Sequence, residues 1–560
     1  MSDESWTTEE EKKLRPFFTN LAQDVFGLRL PQEVAGALFS RYSRSTKSLR
    51  RTFLDEFLGN PDLALQELAA LQGSGVGQEA ALKKAREFYD RVLVGYGDDS
   101  VAQLGGAHLA CENISNVAAN ILEDARIGIA PLEKSTRYVR FDKKNAKGEY
   151  PIYKEPRILA SSHAGSFLEE MDFLLDTYSR QMEPVVEFVR AHLPIEKTEF
   201  KHPKTGEPLD YREAAQDPDL KKWAEAAYRS TVRAHACDVL RGLLPMATQT
   251  NVGLFGVGQA FEYLLTKSYS HPLTEIRELA SAIHRELSSL IPSFVKRART
   301  SDYLLNVQEE TRDLSSKMLR DLSVEGVEPV HLVDYDPEAE DKVLAAILFP
   351  YAQQPLAQIR SIVQRLPVEL RREILKGYLS HRRNRRDKPG RALESSSYTF
   401  EIICNIGIYR DLHRHRILTQ ERQAFTVEHG YDIPEEIIEM GLKPLFNECM
   451  ERAATLYRKV HRDLPFEAQY AVPFAYRVRW YLTANLRELY HIVELRTLPQ
   501  GHPDYRRVAQ EIWRKVEAVH PLLAAYARFI DWNSYRLGRL QSELRTEYKK
   551  TVISSRKQGK

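Results

Sequence analysis

Similar hydrophobic patterns occur in both halves of the chain. The runs Val34–Phe39 and Leu344–Phe349 lie 310 residues apart, and each is followed by a short polar turn and a second, largely helical run. Tyr398–Ile402 alternates between apolar and polar residues as a β-strand does, and an apolar helical run follows it. In the first half, Ser100–Ala125 matches this strand and helical run in length and leads in the same way towards Glu133–Tyr138. These patterns indicate two related halves.

A boundary between the halves is predicted near residue 328. Val327–Pro329 interrupts a helical pattern, and Pro329–Pro337 has the pattern of a short strand followed by a turn. We therefore expect an N-terminal domain over residues 1–327 and a C-terminal domain over residues 328–560. Within the first domain, residues 195–222 are rich in Lys, Pro, Asp and Glu and show little periodicity, which predicts a solvated insertion.

Val478–Leu495 is predicted to be a helix with an apolar and a polar face. The apolar stripe consists of Leu482, Leu486, Leu489 and Val493 at helical spacing. The neighbouring polar positions are Asn485, Arg487, His491 and Arg496. A polar face of this kind is either a solvated surface or the wall of a ligand site.

Composition sets the broad class of the protein. Hydrophobic content of 43% and charged content of 28% are typical of a globular chain, and a net charge of +2 gives no reason to expect nucleic-acid or membrane binding by the whole molecule. Four widely spaced cysteines predict buried thiols in a reducing compartment, with no disulfide framework and no metal site. The acidic N-terminus lacks a signal peptide, so we expect a cytoplasmic protein.

Local charge is more informative at Asp411–Arg416, which contains Arg414, His415 and Arg416. Guanidinium groups at this density repel one another unless an anion lies between them. The guanidinium group also binds phosphate through two parallel hydrogen bonds. The segment therefore predicts either a solvated helix end or a phosphate site.

A second segment, Glu133–Tyr138, offers groups that would complement the first. The hydroxyls of Ser135 and Thr136 can donate to a phosphate, and Arg137 would supply the countercharge. Taken alone, the segment is typical of a surface turn. Its interest comes from its combination with Asp411–Arg416.

At these residues the chain resembles the flavin-dependent thymidylate synthases, whose motif is Arg-His-Arg, seven residues, Ser, one residue, Arg. The second half keeps Arg414-His415-Arg416 but has Ala424-Phe425-Thr426 in place of the later part. The first half has Ala125-Arg126-Ile127 in place of the triplet and keeps Ser135-Thr136-Arg137. Each half therefore retains the part of the motif that the other has lost.

The same division continues downstream. The family has an Arg shortly before Leu-Pro, and only the first half keeps it, as Arg241 before Leu244-Pro245; the second half has Gln469 before Val472-Pro473. The family then has Asn-x-Arg, a polar residue and a late Arg on one helix. Only the second half keeps these, as Asn485, Arg487, His491 and Arg496.

The resemblance implies an α+β, helix-rich fold of two diverged tandem lobes with one composite site between them. It implies methylation of dUMP to dTMP with FAD, methylenetetrahydrofolate and NADPH, by a homodimer of two-lobe chains. Arg496 would be catalytic, because a fixed cation at the uracil edge favours ionisation of the ring. The implied substrate-binding residues are Glu133, Ser135, Thr136, Arg137, Arg241, Asp411 and Arg414. The implied flavin-binding residues are Ser100, Glu394, Arg414, His415, Arg416, Asn485, Arg487 and His491.

Two departures from the family keep other functions open. A family His is replaced by Asp98 in the first half and is not recognisable near Pro389 in the second, a loss that bears on turnover more than on binding. Asp411 stands where the family usually has Gln, and a carboxylate accepts hydrogen bonds only, which would suit the amino group of a cytidine nucleotide. The basic run His381–Arg391 is either a solvated loop, a region that steers anions, or the nucleic-acid contact of a catalytically silent relative.

Overall fold

A computed structural model describes residues 5–30, 32–58 and 103–558 of the 560-residue chain. The strands are β1 Gly106–Ser115, β2 Ile129–Glu133, β3 Phe200–Lys201, β4 Pro208–Leu209, β5 Gln249–Val257, β6 Val330–Tyr335, β7 Ser397–Asn405, β8 Leu418–Arg422 and β9 Arg477–Asn485. The α-helices are α1 Thr8–Leu14, α2 Gln32–Tyr42, α3 Leu49–Thr52, α4 Asn116–Asp124, α5 Pro156–Leu159, α6 Ala164–His192, α7 Tyr211–Ala214, α8 Pro218–Leu240, α9 Gly258–Tyr269, α10 Thr274–Leu290, α11 Pro292–Val295, α12 Asp302–Leu319, α13 Ala339–Leu348, α14 Leu356–Val363, α15 Val368–Leu379, α16 Ile406–Leu412, α17 Glu435–Glu439, α18 Lys443–Asp463, α19 Leu486–Arg496, α20 Pro503–Val519, α21 Pro521–Ala524 and α22 Leu540–Gln558. The fold is helix-rich α+β, as predicted.

The chain forms two units. The first comprises Met1–Glu112, Ile121–Glu133 and Asn251–Leu322, and the second comprises Asn113–Asn120, Lys134–Thr250 and Ser323–Lys560. The first unit therefore contains residues of the first sequence half alone, whereas the second unit contains residues of both halves. The division of the sequence at residue 328 falls between α12 and β6 and stays a prediction.

In the first unit, the sheet has the strand order β1-β5-β2. Strand β2 is antiparallel to β5, with Ile129 opposite Gly256 and Glu133 opposite Val252. Helices α9, α10 and α11 pack against one another after β5. Their contacts bury Phe261, Ile276 and Phe294.

The second unit contains an antiparallel sheet with the strand order β6-β7-β9-β8. The predicted strand at Tyr398–Ile402 is confirmed as part of β7, whose Tyr398, Phe400 and Ile402 are buried in alternation. The strand predicted within Pro329–Pro337 is confirmed as β6. Elsewhere in this unit, the long helix α8 packs against α6 and α22.

The prediction of one continuous helix over Val478–Leu495 was wrong in its first half. Residues up to Asn485 form β9, in which Val478, Trp480 and Leu482 are buried and the intervening residues are less so. This period of two is the pattern of a strand, and the strand pairs on both sides with β7 and β8. The helix begins at Leu486 because the side chain of Asn485 caps it by accepting a hydrogen bond from the backbone N–H of Glu488 at 2.9 Å.

Arg414, His415 and Arg416 were predicted to lie within a helical turn, but helix α16 ends just before them. His413 is its C-terminal cap, and the carbonyl of His413 accepts a hydrogen bond from the Gln420 side chain at 2.8 Å. A helix leaves its last carbonyl groups without internal partners, so such a side-chain donor stabilises the end. The three residues therefore lie in the loop between α16 and β8.

Other predictions concern solvation and burial. The 195–222 segment forms the small β3–β4 hairpin, helix α7 and the start of α8, with Phe200 and Ala214 buried. All four cysteines are buried free thiols, as predicted. None of the helices in the described part of the chain has the length and apolarity that a bilayer span requires.

The close approach of two loops in the second unit gives a test of the packing. A β-carbon at Gly538 would lie 1.9 Å from the carbonyl oxygen of Pro499, so the backbone must move to accept it. We expect Gly538→Ala to lower the free energy of unfolding by about 1–3 kcal/mol. Gly377, in α15, has open space at the same position, and Gly377→Ala should raise that free energy by about 0.5–1 kcal/mol. Urea midpoints followed by circular dichroism measure both changes; an unchanged midpoint for Gly538→Ala would contradict the packing.

Candidate functional site

The candidate site in the second unit is centred on Asp411, at the C-terminal end of α16. Its carboxylate accepts a hydrogen bond from Nη1 of Arg241 at 3.3 Å. Burial alone would raise the pKa of Asp411, but the guanidinium groups of Arg137, Arg241, Arg414 and Arg496 hold that pKa well below its usual range. One ionised carboxylate is therefore shared by four cationic side chains.

Arg241 follows α8 directly and is 3% exposed. Its Nη2 is buried and has no hydrogen-bond partner among the described residues. A β-carbon at position 407 would lie 3.1 Å from Nε of Arg241, so Gly407 leaves room for the guanidinium group. Burial lowers the pKa of Arg241, although Asp411 and Asp238 oppose that effect. A buried, charged donor with an unused N–H is well suited to bind an anion.

Arg137 is held rigidly by an acidic partner on α8. Its Nε and Nη2 donate to the two carboxylate oxygens of Asp238 at 2.9 and 3.0 Å. Arg539 also donates to Asp238, at 2.7 Å, and to the carbonyl oxygen of Arg137, at 3.0 Å. Burial opposes the charge on Asp238, but Arg137 and Arg539 hold the pKa of its carboxyl well below the usual range. The two-point contact fixes the plane of the Arg137 guanidinium group.

Tyr505, on α20, links Arg137 to Arg496. The hydroxyl of Tyr505 accepts a hydrogen bond from Nη1 of Arg137 at 3.1 Å. The guanidinium carbons of Arg137 and Arg496 lie 5.3 and 5.8 Å from the centre of the tyrosine ring. The structure thus brings together Arg137, from the first half of the sequence, and Arg496, from the second.

Arg496 is oriented by two further side chains. Its Nε donates to Nε2 of His415 at 2.9 Å. The other ring nitrogen, Nδ1, lies 3.1 Å from a carboxylate oxygen of Glu488, on α19. Because Nε2 accepts from Arg496, the ring proton of a neutral His415 must be on Nδ1, where it is donated to ionised Glu488. Arg496, His415 and Glu488 therefore form a directional chain of hydrogen bonds.

The protonation state of Glu488 controls this series of hydrogen bonds. Burial raises the pKa of Glu488 to about 7, against the opposing influence of Lys388 and Arg487. Below that pH the His415–Glu488 pair gains a proton. An imidazolium Nε2–H, or the opposite tautomer, would then face the Nε–H of Arg496, and two donors cannot share a hydrogen bond.

His491 lies beside the same pair, and its ring centre is 5.5 Å from that of His415. The ligand-type atoms of His415, Glu488 and His491 all lie within 4.8 Å of one another. Burial lowers the pKa of His491, and Lys388 and Arg496 lower it further. The positive field of these neighbours opposes a divalent cation and favours an anion or a polar cofactor group.

Several residues predicted to contact flavin meet at the start of α19. Nη1 of Arg487 donates to Glu394 at 2.9 Å, and Nε donates to the carbonyl oxygen of Pro389 at 2.8 Å. The Asn485 side chain caps α19, as described above. Arg416 is exposed in the loop after α16. The structure therefore brings Glu394 and Arg487 together and leaves Arg416 on the surface.

The turn before Arg137 is also defined. The backbone N–H of Arg137 donates to the hydroxyl of Ser135 at 3.2 Å. The hydroxyl of Thr136, which is buried, accepts from Nη1 of Arg410 at 3.3 Å. Ser135 is half-buried. Thr136 therefore contacts α16 directly, whereas the Ser135 hydroxyl stabilises its own turn.

Two predicted site residues do not lie among the described residues of the second unit. Glu133 is buried at the end of β2 in the first unit. Ser100 lies outside the described residues. Their roles stay predictions.

The basic run His381–Arg391 is not uniformly solvated. Arg382 is buried and donates to the carboxylate of Glu494, in α19, with one contact at 2.9 Å. Arg383, Arg386 and Arg391 are exposed. The run is thus anchored to α19 through Arg382, while these three arginines lie at the surface.

Sequence reasoning missed several residues that surround the predicted arginines. These residues are Asp238, Glu488, His502, Tyr505 and Arg539. Asp238 precedes Arg241 by three residues on one helix, a spacing that would have suggested a shared face. The buried His502 has its pKa lowered to about 4 by burial and by Arg241. No local pattern marks His502, Tyr505 or Arg539, because they reach the site only through tertiary packing.

Comparisons with known proteins identify the family of the chain. The chain matches the model of the thymidylate synthase complementing protein family over residues 62–293 and again over 331–522. It is 41% identical over 554 residues to a UPF0159 protein of Chlamydia pneumoniae, covering 97% of this chain and 99% of that protein. It is 35% identical over 520 residues to a UPF0159 protein of Thermoplasma acidophilum, covering 92% and 98%.

The chain is also similar, over a shorter region, to flavin-dependent thymidylate synthases. A flavin-dependent thymidylate synthase of Sulfolobus acidocaldarius is 30% identical over 144 residues, which is 24% of this chain and 55% of that protein. The two separate family matches fit tandem lobes, as the divided motifs predicted. The chain belongs to the thymidylate synthase complementing protein family, with two regions of the family in tandem.

Proposed function

We propose that the protein is an FAD-dependent thymidylate synthase that converts dUMP to dTMP with methylenetetrahydrofolate and NADPH, at one site to which both family regions contribute. The observation that carries the proposal is the buried Arg241, whose Nη2 has no partner among the described residues, beside the shared carboxylate of Asp411. Removing a guanidinium group from water is costly, and a bound phosphate would offset that cost.

The nucleotide phosphate is assigned to the side of the cluster formed by Arg241, Arg137 and Arg414. Asp238 and Asp411 fix the first two arginines before substrate arrives, so little side-chain entropy is lost on binding. The turn at Ser135 and Thr136 adds hydroxyl groups. Glu133, at the end of β2, is kept as a substrate contact by family resemblance.

Arg496 is assigned to the pyrimidine. Nε of Arg496 donates to the buried His415, which orients the guanidinium group and leaves its two terminal nitrogens for other contacts. A cation held at the uracil edge would stabilise the ionised ring and so activate it. His415 and Glu488 position Arg496 and do not themselves have to touch the substrate.

The donor chemistry around α19 fits a flavin. Amide, guanidinium and imidazole groups from Asn485, Arg487 and His491 suit the carbonyl oxygens and phosphates of FAD. Arg414, His415, Arg416, Glu394 and Ser100 complete the proposed flavin-binding set. When bound, the reduced flavin would supply the hydride for the reaction.

Asp411 bears on the choice of substrate. A carboxylate facing the base would suit the amino group of a cytidine nucleotide, but this carboxylate already accepts from Arg241 and lies among four cations. This carboxylate thus already has an arginine as donor, which supports dUMP over dCMP as the proposed substrate.

The first prediction concerns cofactor and product. Protein purified and incubated with FAD should show the visible absorption of a bound flavin. With methylenetetrahydrofolate and NADPH it should convert dUMP to dTMP and leave dCMP unchanged. Chromatography of the nucleotides, with the two substrates side by side, measures the choice. A colourless protein that is inert towards both would leave the silent, nucleotide-binding relative as the explanation.

The second prediction concerns Arg241. The variant Arg241→Ala lacks one charge-assisted contact, which is worth about 1.5–3 kcal/mol. We therefore expect it to bind dUMP roughly tenfold to a hundredfold more weakly than the parent protein. The matched control is Arg458→Ala, because Arg458 is exposed on α18 and pairs only with Glu428 among the described residues. Calorimetric titration with dUMP measures both. Equal affinity of the two variants would remove Arg241 from the site.

The third prediction is a pH dependence with a defined sign. At saturating substrate, the rate should rise as the pH passes through about 7, because ionised Glu488 keeps the acceptor nitrogen of His415 towards Arg496. Because the substrate is saturating, ionisation of the nucleotide phosphate, whose second pKa is about 6, does not produce this change in rate. Glu488→Gln should lose the inflection near pH 7, because an amide does not titrate, while Glu488→Asp should retain it. An unchanged inflection in Glu488→Gln would contradict the role of this residue.

A further inference from the structure

The basic run His381–Arg391 contains several cations without an ion-pair partner among the described residues. Arg382 pairs with Glu494, and Arg391 pairs with Glu394. The other cationic side chains of the run form no ion pair with the described part of the chain, and we call them the basic patch: Arg383, Arg385, Arg386 and Lys388. Because the whole chain has a net charge of only +2, this excess of positive charge is local.

Hydrogen bonds fix the backbone that carries the basic patch. The carboxylate of Asp387 accepts from the backbone N–H of Arg383 at 2.6 Å and from that of Asn384 at 3.1 Å. The backbone N–H of Arg386 in turn donates to the Asn384 side chain at 2.9 Å. The side chains of Arg383 and Arg386 remain exposed. The backbone is thus ordered before a ligand arrives, and only side-chain freedom remains to be lost on binding.

The end of the basic patch lies beside the candidate site. Nε of Arg487, on α19, donates to the carbonyl oxygen of Pro389 at 2.8 Å. Burial lowers the pKa of His491, and Lys388 lowers it further; Lys388 also opposes the effect of burial on the pKa of Glu488. The patch therefore begins next to the residues proposed to bind flavin and continues away from them along the surface.

The chemistry of the basic patch fits a flexible ligand with several carboxylates. A guanidinium group binds a carboxylate through two parallel hydrogen bonds, and neighbouring cations favour a ligand that carries more than one negative charge. Single-stranded nucleic acid is the other polyanion to consider. It binds where cations alternate with aromatic side chains on which bases stack, and the run contains no Phe, Tyr or Trp. The patch therefore favours a polycarboxylate.

One ligand of the proposed reaction can carry such a chain. The folate ends in a glutamate, and further glutamates can be joined to it through γ-amide bonds. Each added residue leaves one free α-carboxylate, so the tail is a flexible chain of evenly repeated negative charges. The nucleotide phosphate is already assigned to the cluster around Arg241, which leaves the basic patch for the folate.

We propose that the basic patch binds the oligo-γ-glutamate tail of methylenetetrahydrofolate, so that the protein prefers a folate with several glutamates to the monoglutamate. This inference rests on the proposed function. The pteridine would lie towards α19, and the tail would follow the patch outward. Each exposed ion pair of this kind contributes a factor of about 1.5 to five in affinity. Together the four cations should give a preference of roughly tenfold to a hundredfold.

Calorimetric titration of the full chain measures this preference. The protein is saturated with dUMP and with FAD left oxidised, so that binding is measured without turnover. Methylenetetrahydrofolate is then added either as the monoglutamate or as the pentaglutamate. The pentaglutamate should bind roughly tenfold to a hundredfold more tightly, and the difference should shrink as the salt concentration rises, because salt screens exposed charges.

A matched pair of double variants locates the tail. Arg383→Gln/Arg386→Gln should weaken binding of the pentaglutamate by about threefold to twentyfold and leave the affinity for the monoglutamate unchanged. The control is Lys459→Gln/Arg462→Gln on α18, where both side chains are exposed and form no ion pair with the described residues. It changes the net charge by the same amount and should leave both affinities unchanged. Because all four side chains are exposed, neither variant should unfold the chain.

The outcomes separate this inference from the proposed function. Equal affinities for the two folates, or an equal loss in the two double variants, would overturn the inference even in a protein that makes dTMP. A protein that makes no dTMP but keeps the preference for the pentaglutamate would overturn the proposed function and retain the tail site. Failure to bind either folate would overturn both. Binding of single-stranded DNA that Arg383→Gln/Arg386→Gln abolishes, without any preference between the folates, would assign the patch to nucleic acid instead.

Discussion

The arrangement of the second unit depends on one half-buried, ionised carboxylate held among arginines. Asp411 has its pKa held well below the usual range by Arg137, Arg241, Arg414 and Arg496. Without Asp411, these guanidinium groups would repel one another in a poorly solvated environment. With it, they stay together and retain donors for a further anion, of which Nη2 of Arg241 is the clearest. The same interaction explains both the stability of the cluster and its proposed use.

The secondary structure brings these residues together from distant parts of the chain. Arg241 comes from the end of α8, Asp411 from the end of α16 and Arg496 from the end of α19. A cation at a helix C-terminus is favoured by the helix dipole, which suits Arg496. Asp238 and Tyr505 then fix Arg137 beside them. The cluster is thus formed where several helices end.

The elements and site residues that could be predicted are those marked by a local sequence pattern. The strand at Tyr398–Ile402 and the helix after it follow from short-range alternation, and the structure has both. The segment from Val478 was misassigned because Leu482 fits a helical stripe as well as it fits a strand, and only pairing with β7 and β8 decides between them. Family motifs located Arg241 and Arg496. Asp238 and Glu488 lie near these motifs in the sequence, but Tyr505 could not be found in that way, because tertiary packing alone brings it to the site.

The tandem arrangement gives a physical reason for the divided motifs. Each family region can lose a residue whose equivalent in the other region still reaches the site, so the two regions diverge in complementary ways. The central claim is that one nucleotide is bound by residues of both regions. A crystal structure of the protein with dUMP tests it most directly. We predict one nucleotide per chain, with its phosphate on Arg241 and its base edge at Arg496; a nucleotide that contacts residues of one region only would contradict the account.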